Sequence, residues 1–129
     1  MLTKEFINPH AMGFTNTVTY TLGGVKTIVI SGQVGYADGK VGETFEEQAD
    51  IAHQNIIREL AAAGASAEDL IKINTYVVDL DSTRSKAVQA AKAKYFTQEH
   101  QPASTMVGVS ALVMKPLLVE IEATAVVEA

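Results

Sequence analysis

Two carboxylates stand two residues apart in the run Val119-Glu120-Ile121-Glu122-Ala123-Thr124-Ala125. Successive side chains of an extended chain point to opposite faces. Glu120, Glu122 and Thr124 therefore share one face, and Leu117, Val119, Ile121, Ala123 and Ala125 share the other. A buried, unpaired carboxylate is costly. Such a pair sits either at a solvated sheet edge or in a site, where a carboxylate can serve as a general base. Ser31-Gly32, closing an apolar run, and Ser104-Thr105, after Pro102-Ala103, add hydroxyls that can hold a ligand or cap freed backbone amides. Other chemistries lack their residues. Without cysteine there is no thiolate nucleophile and no disulfide. There is no nucleophile elbow of the glycine-x-serine-x-glycine kind and no glycine-rich phosphate loop. His10, His53 and His100 show no ligand spacing with acidic partners, so neither metal nor cofactor is expected.

These groups must be positioned by regular elements. Thr15 to Leu22 alternates, Gly23-Gly24 is a hairpin signal, and Lys26 to Ser31 follows as an antiparallel partner. Residues 5 to 15, with Asn8-Pro9 and Gly13, are expected to form an ordered loop. Thr44-Phe45-Glu46-Glu47 fits a capping box. Phe45, Ala49, Ala52, Ile56, Leu60 and Ala63 then recur at helical spacing up to Gly64. Gln48 and Asn55, on the same helix, are expected to be structural hydrogen-bonders. Leu70 to Val78 reads as a buried strand. A second helix runs from about Asp81-Ser82 to Phe96 with Ala87, Val88, Ala91 and Tyr95 inward, and two closing strands begin near Thr105 and Leu117.

The expected order is β-β-α-β-α-β-β, an α+β single domain over residues 1–129 with one mixed sheet and both helices on one face. The other face would stay partly apolar, which points to an oligomer that covers it. With 129 residues, 47% hydrophobic and 19% charged, the composition is that of a globular protein. A net charge of −5 and scattered basic residues argue against nucleic acid as a partner. The N-terminus lacks the apolar core of a signal peptide and no run is long enough for a membrane span, so a cytoplasmic protein with no membrane partner is expected.

Ser31-Gly32-Gln33-Val34-Gly35, Gln48 with Asn55, Ala61-Ala62-Ala63-Gly64-Ala65-Ser66, Pro102-Ala103 and Val119-Glu120-Ile121-Glu122-Ala123 occur in the order and spacing of one family. From Pro9 to Val127 the chain resembles the RidA (YjgF-type) reactive-intermediate deaminases, also known as the L-PSP endoribonucleases. The resemblance implies a chorismate-mutase-like fold and a homotrimer with small-molecule clefts between subunits. It further implies hydrolysis of enamines or imines to a carbonyl compound and ammonia, with a glutamate assisting water and an arginine holding the substrate carboxylate.

Transferred position by position, the glutamate falls on Glu120, and the serine and glycine fall on Ser31 and Gly32. The arginine falls on Ser104, and the cleft tyrosine falls on Phe14. An asparagine of the second helix falls on Gln89. Glu120 is thus the expected catalytic residue, with Ser31, Gly32, Ser104, Phe14 and Gln89 binding substrate. A lost two-point arginine–carboxylate link argues against amino-acid-derived imines. A non-catalytic metabolite-binding trimer is the alternative. A ribonuclease reading rests on the family's naming alone, and the acidic charge counts against it.

Overall fold

All 129 residues are described by the structure, a computed structural model. The chain runs β1 (Thr3–His10), β2 (Phe14–Leu22), β3 (Val25–Val34), β4 (Tyr36–Ala37), β5 (Lys40–Val41), α1 (Phe45–Ala62), β6 (Leu70–Val78), α2 (Ser82–Tyr95), β7 (Ala103–Val109) and β8 (Val119–Glu128). A short 3-10 turn, Ala67–Asp69, leads into β6. Six strands form one sheet in the order β1-β2-β3-β8-β6-β7, and β4 pairs with β5 in a small ribbon. Only β6 and β7 are parallel, as a crossover through α2 requires. Both helices lie on one face, which gives the expected α+β, chorismate-mutase-like arrangement of two helices on a mixed sheet.

Local chemistry sets the helix ends. The Thr44 hydroxyl accepts from the Glu47 amide at 3.1 Å, while the Glu47 carboxylate reaches one residue further back than a capping box would, to the Glu43 amide at 2.9 Å. Gly64, with φ +81°, follows the C-cap and lets the chain reverse. Asp81 caps α2 by accepting from the Arg84 amide at 2.8 Å.

The apolar stripe of α1 presses Ala52, Ile56 and Leu60 onto Ile28, Ile30, Ile73 and Ile121 of the sheet, all buried. A second cluster joins Phe45 and Ala49 to Val77, Val119, Val88 and Ala91, and so ties α2 to α1 and the sheet. Each such Ile or Leu contributes roughly 1.5–3 kcal/mol relative to leaving it exposed.

Residues 3 to 10, expected to be mostly loop, form the edge strand β1, paired with β2 from Thr3↔Thr21 to His10↔Phe14. Almost every side chain of β1 is exposed, so no alternation marks it, and Pro9 is tolerable because the edge needs no second ladder. Its anchor is Glu59 of α1. That buried carboxylate accepts from the Thr17 hydroxyl at 2.7 Å and from Asn8 Nδ2 at 3.2 Å.

His53 is buried in α1, with Nδ1 2.7 Å from the Ala49 carbonyl, its ring tilted against Phe96, and Nε2 unpartnered. Burial, above all, lowers its pKa, and nearby Lys92 adds to the effect. The unfolded chain therefore takes up a proton that the folded chain refuses. Stability is complete above the ordinary histidine value of about 6.5 and is lost as pH falls through the window below it. His53→Phe should flatten that acid limb, read as melting temperature against pH; an unchanged slope would assign the acid sensitivity elsewhere.

Candidate functional site

Where β3 runs beside β8, Ile30 pairs with Ala123 and Gln33 with Ile121, so β3 carries one extra residue at Ser31-Gly32. Such a bulge turns side chains and backbone out of the ladder, and bulges recur beside active sites. Here it opens onto a cavity of about 700 Å³. Ser31, Gly32, Glu120, Phe14 and His10 line it, together with apolar side chains of β3–β5 and of the segment between β7 and β8. No lysine or arginine does.

Glu120 leaves the outer, helix-free face of the central strand β8, so the solvated-edge alternative does not hold. Its carboxylate lies directly over Gly32: a Cβ built there would come 1.8 Å from Glu120 Oε2. Glycine is required for that approach. Burial raises the Glu120 pKa, and the like charge of Glu122 adds to the effect. A carboxylate held this way is a stronger base than one in water. Glu122 is engaged differently, accepting from the Tyr76 hydroxyl on the neighbouring strand β6. Ser31 donates to the Thr15 carbonyl at 2.6 Å, which commits its proton to the backbone and leaves only its lone pairs for a ligand.

Two amides of α1 fix the cavity wall. Gln48 donates to the Pro116 carbonyl at 2.8 Å and to the Gly42 carbonyl at 3.1 Å, and accepts from the Leu118 amide at 2.8 Å. Asn55 donates to the carbonyls of Val34 at 3.1 Å and Tyr36 at 3.0 Å. Both act as the structural hydrogen-bonders expected, and both hold backbone that shapes the site.

The sequence model described as Endoribonuclease L-PSP matches residues 12–127. The chain belongs to the endoribonuclease L-PSP family. The mitochondrial protein MMF1 of Saccharomyces cerevisiae is 32% identical over 97 residues, 74% of this chain and 63% of that protein. The chain thus spans less than two thirds of the length of the curated relatives it matches. Among solved structures it resembles Rv2704 of Mycobacterium tuberculosis, a YjgF/YER057c/UK114 family member, at TM-score 0.78 and 28% identity, covering 97% of this chain and all (100%) of that one. It also resembles RidA of a Psychrobacter species at TM-score 0.78 and 29% identity, over 92% of this chain and 93% of that one. No helix is long and apolar enough to cross a membrane.

Within this L-PSP family chain, four of the six expected site residues, Glu120, Ser31, Gly32 and Phe14, share one cavity. Ser104 does not join them. It lies on the edge strand β7 beside Ile73, which in turn pairs with Ala123, so its side chain leaves the helix-covered face opposite to Glu120. Two strand spacings of roughly 4.8 Å and three residues along the strand separate it from Glu120. Gln89 is also apart, in a hollow of about 80 Å³ near the end of α2 with Lys92, Gln98 and Gln101. No group of three or more acidic or histidine side chains converges as a metal site would require.

Three parts of the site escaped sequence reasoning. His10 has no metal-ligand spacing to mark it, and Tyr36 and the Val113-Met114 segment carry no motif. The Asn8-Pro9-His10 step is the one available signal, but its place on the cavity wall depends on β1 being a strand.

Proposed function

We propose that this protein is a homotrimeric hydrolase of the enamine/imine deaminase type, acting on small imines that carry no carboxylate. The observation that carries the reading is Glu120. Half-buried and poised over Gly32, it is the only acidic group in a largely apolar cavity without any lysine or arginine. Such a cavity complements a cationic iminium head with an apolar substituent and disfavours a second carboxylate, which would have no counter-ion. Water attacks the iminium carbon, its oxygen forming the new bond as the π pair moves to nitrogen and its proton passes to Glu120. The protonated Glu120 then gives that proton to the carbinolamine nitrogen. It recovers a proton from the hydroxyl as the C–N bond breaks with its electron pair leaving on ammonia. The products are a carbonyl compound and ammonia, with one proton left on Glu120 for release to solvent.

The trimer is supported by the outer sheet face, where Tyr20, Leu22, Val25 and Val29 stand exposed and apolar in one protomer. In such an assembly Ser104, at an exposed edge, is free to face a neighbour's cavity.

The test generates phenylmethanimine from benzylamine with a flavin amine oxidase and, in parallel, 2-aminoacrylate, following ammonia release above the spontaneous rate. Acceleration of the first, and not the second, is expected. Glu120→Gln should lower it about 100-fold, the low end of what general acid–base catalysis contributes. The same substitution should remove a stability slope. A carboxyl with a raised folded pKa destabilises the fold as pH climbs from about 4.3 through the shifted value, so the variant should melt higher at neutral pH. Binding of benzamide without turnover of either imine would favour the non-catalytic metabolite-binding trimer, a reading that the committed Ser31 proton supports.

A further inference from the structure

The cavity is short of hydrogen-bond donors. Ser31 spends its proton on the Thr15 carbonyl, Glu120 as a carboxylate only accepts, and Phe14 has no hydroxyl. His10 and the Tyr36 hydroxyl are the side-chain donors that remain on its walls. Of these two, His10 is built into place. Its ring stacks on Phe14, centroids 4.7 Å apart and planes 8° from parallel, across the pair His10↔Phe14 that closes the β1–β2 hairpin. The Met12 amide donates to Nδ1 at 3.1 Å within the same turn. Because Nδ1 is an acceptor there, the neutral ring carries its hydrogen on Nε2. Nε2, across the ring, has no partner in the chain. Stacking fixes the plane and the turn fixes the tautomer.

We propose that His10 is a substrate-contacting residue. Its Nε2–H donates a hydrogen bond to the oxygen that arrives as water and leaves as the product carbonyl, supplying the donor that Phe14 lacks. The proposal rests on the imine-hydrolase reading and names a second contact in the same cavity. No proton moves to or from the ring in this role. The hydrogen bond strengthens as the oxygen gains carbonyl character, while Glu120 handles every proton. The roles divide by type, one acceptor and one fixed donor, as addition of water to a polarised C=N bond requires.

The probe is benzamide, whose carbonyl oxygen stands for the added oxygen and whose amide NH2 stands for the departing nitrogen. Nitrogen-15 spectra of histidine-labelled protein, with His10 assigned by its disappearance in His10→Gln, should show the Nε2–H tautomer. Its Nε2 signal should move as benzamide is added. His10→Phe keeps the stack and loses the donor, so it should weaken benzamide about tenfold, the factor for one neutral hydrogen bond. His10→Gln offers an amide N–H near the Nε2 position and should recover most of that loss. A ring protonated on Nδ1 overturns the assignment whatever binds. Equal benzamide affinity in wild type and His10→Phe overturns it while leaving the imine-hydrolase reading intact. Loss of affinity in Tyr36→Phe but not in His10→Phe gives the role to Tyr36. If the wild type fails to bind benzamide at millimolar concentration, the ligand class itself falls, and the His10 assignment falls with it.

Discussion

Replacing Gly35 by alanine should lower the stability by about 3 kcal/mol or more, the upper range for overpacking a tight contact. A Cβ at this position would come 2.4 Å from Gln48 Cβ and 2.6 Å from Gln48 Cα. The obstacle is therefore the helix backbone, which cannot step aside as a side-chain tip can. α1 is held at that point by the three hydrogen bonds of the Gln48 amide and by Phe45 and Ala49 in the core. Moving the helix breaks all of them together. Urea unfolding followed by far-ultraviolet circular dichroism reads the effect as a lower midpoint at unchanged slope. A midpoint equal to that of the wild type would show that α1 can give way.

Gly32→Ala should do the opposite: near-wild-type stability with activity reduced by up to about 100-fold, the loss expected when the base itself is removed. The atoms in the way of a Cβ here are Glu120 Oε2, Cδ and Cγ, at 1.8, 2.6 and 2.8 Å. They are the far end of a flexible side chain, and rotating it away costs little. The rotation, however, removes the carboxylate from its place over the bulge while the new methyl fills part of the cavity floor. The comparison with Glu120→Gln is informative. Gly32→Ala keeps the acid but misplaces it, so equal losses in the two variants would show that position matters as much as identity. Wild-type turnover in Gly32→Ala would dismiss the geometry on which the proposed mechanism stands.

The contrast between these glycines was not legible in the sequence. Both belong to one short motif, Ser31-Gly32-Gln33-Val34-Gly35, and the motif does not say what approaches each one. The same holds for the two carboxylates of β8. Their two-residue spacing put them on one face. That Glu122 would be held by Tyr76 and Glu120 left over Gly32 depended on which strands became neighbours: β6 on one side, the bulged β3 on the other. Likewise Ser104 could be aligned with a family position, yet the parallel β6–β7 register sets it on the opposite face of the sheet from Glu120.

What the sequence determined by itself is what local physics encodes. The alternation in β2, β3, β6 and β8, the apolar stripe and Thr44 cap of α1, the Asp81 cap of α2 and the Gly23-Gly24 turn all act over a few residues, so they can be read a few residues at a time. The ordered motifs also sufficed to indicate the family. The tertiary structure alone decided the strand status of β1, which has no buried face to imprint a pattern and is held by β2 and Glu59. It alone decided the cavity, whose walls come from β1 through β5, from β8 and from the segment preceding it. A site assembled from such distant segments depends on packing and strand order. Those are properties of the whole chain, and no window of the sequence contains them.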